Sequence, residues 1–284
     1  MLPAEQWRAR ARDHAEAVHQ LTRGRLERRR TGSRHPVEDF LFEYYGHRPA
    51  QLARWHPGAG VALEDAAERG GWPFYRYDGS RAVVDVTAFL ARRGRAVAFV
   101  RRLLQATLDR PGRFGCFGLH EWAMVYRADE EQLRHAGWPL RLGPEGTDAV
   151  VESHQLGCSH HDAVRFFTAP AAPRNTLTPT RESQTALEQP GCLHAGMDVY
   201  KWCFKLAPAV PSDLTLEAFR LARRIRELDM RAAPYDLRPL GYEPVRIETA
   251  EGKAEYVAAQ REFAAATNRL RRSLLETLAV LDGG

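Results

Sequence analysis

The chain has 284 residues, a formal net charge of +5 and 44% hydrophobic residues, a composition typical of a globular protein with a substantial core. No apolar run reaches the roughly 18 residues of a membrane-spanning helix, and the polar N-terminus lacks the apolar core of a signal peptide. The four cysteines form no CxxC pair, which argues against a disulfide framework or a zinc ribbon, so we expect a cytoplasmic protein with no membrane contact.

The first part of the chain is basic. Residues 3–30 are rich in arginine and glutamate and predict a helix, and we interpret residues 1–30 as a basic N-terminal helical arm. Residues 31–284 are then a single catalytic domain. A second arginine cluster lies in a helix predicted over 86–108. Both clusters could contact phosphate groups, although a solvated helix surface is the simpler explanation of each.

Further helices follow from apolar residues at helical spacing. They are predicted for the segment after Pro36, for 193–206, for the segment introduced by Pro211 and Ser212, and for 250–281. Brief apolar runs bounded by glycine and proline, LRLG and AVVESH, predict short strands. The fold class that follows is mostly α with a small β element (α+β), in a single compact domain.

Reactive side chains are concentrated in residues 116–204. This segment contains all four cysteines and six of the 11 histidines, namely His120, His135, His154, His160, His161 and His194. The densest cluster is Cys158-Ser-His-His-Asp162. In the helix predicted over 193–206, His194 and Asp198 have i, i+4 spacing and share one face.

This composition is typical of a metal site. Imidazole and carboxylate groups together suit iron, manganese or zinc, and the candidate ligands are His120, His160, His194 and Asp198. The same groups also suit a general base oriented by a neighbour, and a chance cluster of hydrogen-bonded polar residues is a third explanation. A His/carboxylate site requires the imidazoles to meet around one cavity, which the sequence does not establish.

Aromatic residues flank the same polar groups. They are candidates for binding a flat, stacked ligand such as a nucleobase, although core packing explains each of them individually. The candidates are Trp122, Tyr126, Phe166, Tyr200 and Trp202. No dinucleotide-binding GxGxxG, Walker loop or GxSxG elbow is found in the sequence.

Several longer strings carry a resemblance that extends from about residue 5 to residue 265. They are HPVEDFLFEYY, RPAQLARWHPG, FGLHEWAMVYR, CSHHDAVRFF, LEQPGCLHAGMDVYKW and LDMRAAPYDL. Together they resemble an actinobacterial family commonly labelled 3-methyladenine DNA glycosylase. The resemblance implies an N-glycosylase-type hydrolase that acts on a modified purine in DNA or a nucleoside and needs no cofactor. The glycine-rich hairpin and following aspartate of helix-hairpin-helix glycosylases are not found in this sequence.

No catalytic residue can therefore be carried over from characterised glycosylases, and the candidates are chosen from the residues of this sequence. They are Asp162 or Glu121, either of which could activate water or stabilise an oxocarbenium-like transition state, and His160 as a base. The alternative is a metal-dependent enzyme acting on a small molecule, either a non-haem iron oxygenase or a metallohydrolase. A non-catalytic nucleic-acid-binding protein is a further alternative, supported by the basic N-terminal residues.

Overall fold

The structure is a computed structural model that describes residues 1–128 and 137–283. In this part of the chain the α-helices are α1 Ala4–Thr31, α2 Phe40–Tyr45, α3 Pro49–Leu52, α4 Val86–Leu108, α5 Leu119–Ala123, α6 Gly143–Glu152, α7 His161–Val164, α8 Gln184–Leu187, α9 Leu193–Lys205, α10 Ser212–Arg231 and α11 Ala250–Ala279. The strands are β1 Leu63–Glu64, β2 Tyr75–Tyr77 and β3 Arg81–Val84. They form one antiparallel sheet in the order β1-β3-β2, with Leu63 opposite Ala82 and Tyr75 opposite Val84.

The predicted fold class, mostly α with a small β element, is confirmed. The longest predicted helices lie within one or two residues of α1, α4, α9 and α11. Each carries apolar residues at helical spacing over at least three turns, which is the strongest signal a single sequence offers. No described helix is both long and apolar enough to cross a bilayer.

The strand predicted for AVVESH is wrong, because these residues fall at the end of helix α6 and in the turn after it. Pro144 and Glu145 lie in the first turn of α6, where proline costs no hydrogen bond and a carboxylate favours the helix dipole. Val150 and Val151 are buried one turn after the buried Thr147. The apolar pair is therefore part of one helix face and not a strand. LRLG forms only an isolated bridge, between Leu140 and Tyr235.

Contacts between Cα atoms divide the chain into two compact units. Unit 1 comprises Met1–Gln105, Asp198–Ala222 and Arg269–Gly284. Unit 2 comprises Ala106–Met197 and Arg223–Asn268.

In unit 1 the sheet packs against the N-terminal helix α1. Trp7 is buried with Leu63 and Tyr75, and its indole N–H donates to the Glu64 carbonyl at 2.8 Å. Near the other end of α1, Arg28 forms an ion pair with the buried Asp39, with 2.7 Å between nitrogen and oxygen. The basic helix is thus anchored within unit 1 at both of its ends.

In unit 2 a short helix, α5, is fixed against the residue that follows the end of α10. The fully buried Trp122 donates its indole N–H to the Ala232 carbonyl at 2.8 Å. Gly118 precedes α5 with φ 73°, a left-handed conformation that glycine adopts at little cost. This turn directs the first residues of α5, which include His120, towards α10.

Candidate metal centre

Three histidines from separate segments of unit 2 meet in its interior. His120 lies in α5, His160 precedes α7 and His194 lies in the first turn of α9. The ring centroids of His120 and His194 are 4.5 Å apart, and those of His160 and His194 are 5.2 Å apart. All three side chains are buried. The structure therefore brings together the three imidazoles that the sequence singled out.

A carboxylate that the sequence did not single out joins them. Asp229, from the last turns of α10, is completely buried, and its Oδ1 lies 2.9 Å from Nε2 of His120. The pair nevertheless lacks the geometry of a hydrogen bond. Among the described residues neither atom has any other hydrogen-bond partner. Two ligand-type atoms thus face each other at close range in the interior of unit 2.

His120, His194 and Asp229 together form a candidate ligand set. One ligand atom from each of the three residues lies within 4.8 Å of the other two. Two imidazoles and one carboxylate are the donors of facial metal sites that bind iron, and the same donor types bind zinc and manganese. The chemistry of the donors therefore fits the divalent metals expected from the sequence.

The charge states of this group are determined by burial and by the attraction between His120 and Asp229. Burial disfavours a protonated imidazole, and together with the neighbouring His120 it lowers the pKa of His194 well below its ordinary value, so that His194 is a neutral donor. Burial opposes the charged forms of His120 and Asp229 as well. Their mutual attraction is stronger, and it raises the pKa of His120 and lowers the pKa of Asp229. Without a metal the two form a buried ion pair.

Arg226 holds the carboxylate of Asp229 in place. Its Nη1 donates to Oδ2 of Asp229 at 2.9 Å and to Oε1 of Glu121 at 2.7 Å. The guanidinium and both carboxylates are buried. Because Oδ2 is bound to Arg226, only Oδ1 of Asp229 faces His120, and the carboxylate is presented with one oxygen. Of these two neighbouring residues, His120 is thus a candidate ligand, and Glu121 binds the arginine that orients Asp229.

A small cavity of about 10 Å³ lies beside His120, which is about the space that one water molecule needs. The lining residues are Cys116, His120, Gly157, Cys158, Ser159, Gln189, Cys192, Leu193, Tyr256 and Gln260. Burial raises the pKa of Cys158 and of Cys192, which keeps both as neutral thiols. The sulfur of Cys116 lies 3.9 Å from Nδ1 of His120, on the other side of the ring from Asp229.

Comparison with known protein families, curated proteins and solved structures gives no match. The function of this protein therefore has to be inferred from the site itself.

The predicted catalytic carboxylates lie in different surroundings. Glu121 is buried and accepts the hydrogen bond from Arg226. Asp162 is partly exposed, with Oδ1 3.4 Å from Nε2 of His161 and 3.6 Å from Nε of Arg165. Asp162 is not among the residues that line the cavity beside His120.

Three predicted ligand-stacking residues belong to unit 2, where each has defined contacts. Trp122 is fully buried. Tyr126 is also buried, and its hydroxyl donates to Oε1 of Glu152 at 2.8 Å. Phe166 packs against a buried cluster that includes Met124, and the guanidinium of Arg165 lies 4.5 Å from the centre of its ring. None of the three lines the cavity beside His120.

The other predicted site residues belong to unit 1. Asp198 accepts a hydrogen bond of 2.8 Å from the Tyr45 hydroxyl and forms an ion pair with Lys201. Tyr200 is fully buried, and the ammonium group of Lys201 lies 4.4 Å from the ring centre of Trp202. His135 lies outside the described residues.

Two residues of the site, Asp229 and Arg226, were missed from the sequence. The available signal is their position on α10. Asp229 follows Ala218, Ala222 and Ile225 at spacings of three or four residues, so a carboxylate continues an otherwise apolar helix face. A charged residue on such a face is buried only with a partner, which identifies it as a site candidate.

Proposed function

We propose that this protein is a metal-dependent enzyme that acts on a small molecule and binds a divalent iron, manganese or zinc ion through His120, His194 and Asp229. The observation that carries the proposal is the buried contact between Nε2 of His120 and Oδ1 of Asp229. The two atoms are 2.9 Å apart without hydrogen-bond geometry, and a neutral imidazole, His194, lies beside them.

The surroundings of the three residues support a metal role. Burying several charges is costly unless each is paired. Here the positive charge of Arg226 is paired with the negative charges of Asp229 and Glu121, through a hydrogen bond to one oxygen of each carboxylate. Such supporting contacts fix the orientation of ligands in metal sites. With three protein ligands, a divalent ion keeps positions for water or substrate, which it polarises as a Lewis acid.

The N-glycosylase activity implied by the resemblance stays a prediction. Of its two candidate carboxylates, Glu121 is engaged by Arg226 and Asp162 lies outside the cavity lining. The cavity of about 10 Å³ matches a water molecule or an ion and not a purine base. The metal-dependent alternative therefore has the stronger geometric support.

Metal content is the direct test. Untagged protein would be purified without chelators and analysed for all first-row metals, together with His194→Ala, Asp229→Asn and the control His154→Ala. His154 belongs to unit 2, and its Nδ1 contacts the Val150 carbonyl. We expect about one equivalent of metal in the wild type and in the control, and an affinity lowered at least tenfold in the two ligand variants.

A wild-type protein that retains no metal, and binds none tightly on titration with Fe²⁺, Mn²⁺ and Zn²⁺, would refute the proposal. The glycosylase alternative would be assayed in parallel with chelator-treated protein and DNA containing 3-methyladenine. Release of free base that persists without metal and disappears in Asp162→Asn would establish that alternative.

A further inference from the structure

His160 is a buried imidazole of unit 2 that lies outside the proposed ligand set. Its ring is stacked between two others, with its centroid 5.2 Å from that of His194 and 5.7 Å from that of His161. Stacking engages the two faces of the ring, whereas an imidazole binds a metal through a nitrogen in the ring plane. The stack therefore fixes the plane in which His160 would present a ligand nitrogen.

A buried carboxylate, Glu188, lies beside His160. One ligand atom of each residue lies within 4.8 Å of the other, and the two residues are only 1% and 2% exposed. Nitrogen and oxygen ligands bind zinc at about 2.0–2.2 Å, so two ligand atoms of one ion are separated by up to about 4.4 Å. The arrangement of the two residues is thus compatible with one shared ion.

The carboxylate of Glu188 is oriented by two buried, neutral donors of unit 2. Nε2 of Gln184 donates to Oε2 at 2.9 Å, and the hydroxyl of Thr107 donates to Oε1 at 3.4 Å. A carboxylate oxygen has lone pairs for more than one bond, so neither hydrogen bond prevents metal binding. Hydrogen bonds of this kind orient the carboxylates of metal sites. Glu188 therefore has the support that is typical of a ligand.

We propose that His160 and Glu188 bind a second divalent cation, near the ion of the proposed ligand set. The inference deepens the proposed function and rests on it for the first ion. The link between the two ions is the contact of His160 with His194, a ligand of the first. Because an imidazole nitrogen binds an ion at about 2.1 Å, ring centroids 5.2 Å apart place the two ions no more than about 12 Å from each other.

The probe is Mn²⁺ added to the full-length protein, with equilibrium dialysis and electron paramagnetic resonance as the two readouts. Two protein ligands hold an ion less tightly than three. The second cation should therefore be lost during purification and return on titration. Two manganese ions at this separation broaden each other's resonance spectrum, whereas an ion bound at a distant surface position does not.

We expect the wild type to bind about two equivalents of Mn²⁺, with a spectrum that broadens as the second equivalent binds. Glu188→Gln keeps the size of the side chain and removes its charge, and His160→Gln removes the imidazole. Each variant should bind one equivalent and give an unbroadened spectrum. Glu182→Gln is the matched control, because Glu182 is an exposed carboxylate of the same segment of unit 2. It should behave as the wild type does.

Two results would overturn the inference and leave the proposed function intact. One is a wild type that binds a single equivalent of Mn²⁺, which is lost in Asp229→Asn. The other is a second equivalent that leaves the spectrum unbroadened or persists in Glu188→Gln, which would show an adventitious ion only. Because the number of ions and the broadening are measured on the wild type, a variant that fails to fold does not block the test.

Failure of the proposed function gives a different pattern. A single equivalent that is lost in Glu188→Gln and retained in Asp229→Asn would refute the proposed ligand set while supporting His160 and Glu188 as ligands. A wild type that binds no Mn²⁺ would refute both proposals.

Discussion

At the scale of single residues, buried charges and their partners determine what the site can do. Arg226 is completely buried and forms ion pairs with the carboxylates of Glu121 and Asp229. Because burying an unpaired charge is costly, the removal of Arg226 would leave two buried negative charges without a partner. If Arg226 were lost, Oδ2 of Asp229 would be unsatisfied and free to rotate towards His120. Arg226 therefore determines that only Oδ1 of Asp229 faces His120.

Another buried histidine, His47 in unit 1, leads to a prediction of how stability changes with pH. Burial lowers its pKa to about 4, assisted by the positive charges of Lys205 and Lys201. Its ring stacks on Phe204 at 3.6 Å and contacts Tyr45 and Tyr200. Below pH 6.5 the unfolded chain binds a proton at this position and the folded chain does not. Stability should therefore fall as the pH decreases from about 6.5 to about 4, by up to roughly 3 kcal/mol.

His47→Phe removes this dependence, because phenylalanine keeps the stacked ring and does not titrate. We expect the variant to lose clearly less stability than the wild type between pH 7 and pH 4.5 in urea unfolding experiments. Phe204→Leu is the matched control, since it weakens the same stack at both pH values and leaves His47 in place. Equal losses for His47→Phe and the wild type would contradict this origin of the pH dependence.

The sequence revealed part of the site and missed the rest for a physical reason. His120, His160 and His194 stood out because imidazoles are scarce and lie in one segment. Asp229 did not, because a carboxylate in an arginine-rich helix is normally solvated and only the folded structure shows which face is buried.

At the scale of elements, the helices were predicted well where they were long and poorly where they were short. Helix α4 was predicted over its exact observed range, because its apolar pattern covers more than six turns. Helices α5 and α7 span five and four residues, too few for periodicity to be recognised. Both are held by tertiary contacts, and both place a site histidine in or next to the helix. His120 and His160 are thus positioned by the elements that sequence patterns describe least, whereas His194 and Asp229 lie on the longer helices α9 and α10.

Two helical glycines provide a test of packing at this scale. Alanine normally stabilises a helix by about 1 kcal/mol relative to glycine. At Gly252, in the first turn of α11, an added Cβ would overlap the backbone of Arg246, whereas at Gly94 in α4 no atom lies within 4 Å of an added Cβ. We therefore expect Gly94→Ala to raise the melting temperature and Gly252→Ala to lower it. Stabilisation by both substitutions would show that the segment around Arg246 is not packed as described.

At the scale of the whole molecule, metal binding should appear as stability. An ion that binds the folded chain and not the unfolded chain stabilises it by about 2.7 kcal/mol at 100 times the dissociation constant. For a chain of this size, that corresponds to a rise in melting temperature of about 5–10 °C. We expect this rise when Mn²⁺ or Zn²⁺ is added to chelator-treated wild type, and a much smaller one in Asp229→Asn.

Asp162→Asn is the appropriate control for this experiment, because it removes a carboxylate charge from unit 2 outside the proposed ligand set. It should respond to metal as the wild type does. A rise of the same size in Asp229→Asn would mean that the stabilising ion binds elsewhere on the protein.

The order of the three proposed ligands along the chain has a consequence for biosynthesis. His120 and His194 are synthesised well before Asp229, and Arg226, which orients Asp229, is made only three residues ahead of it. A nascent chain therefore has two imidazoles but no matching carboxylate until α10 has left the ribosome. If the proposed centre binds metal, capture would be confined to the last stage of translation or to the released polypeptide, and truncated products ending before α10 would lack Asp229.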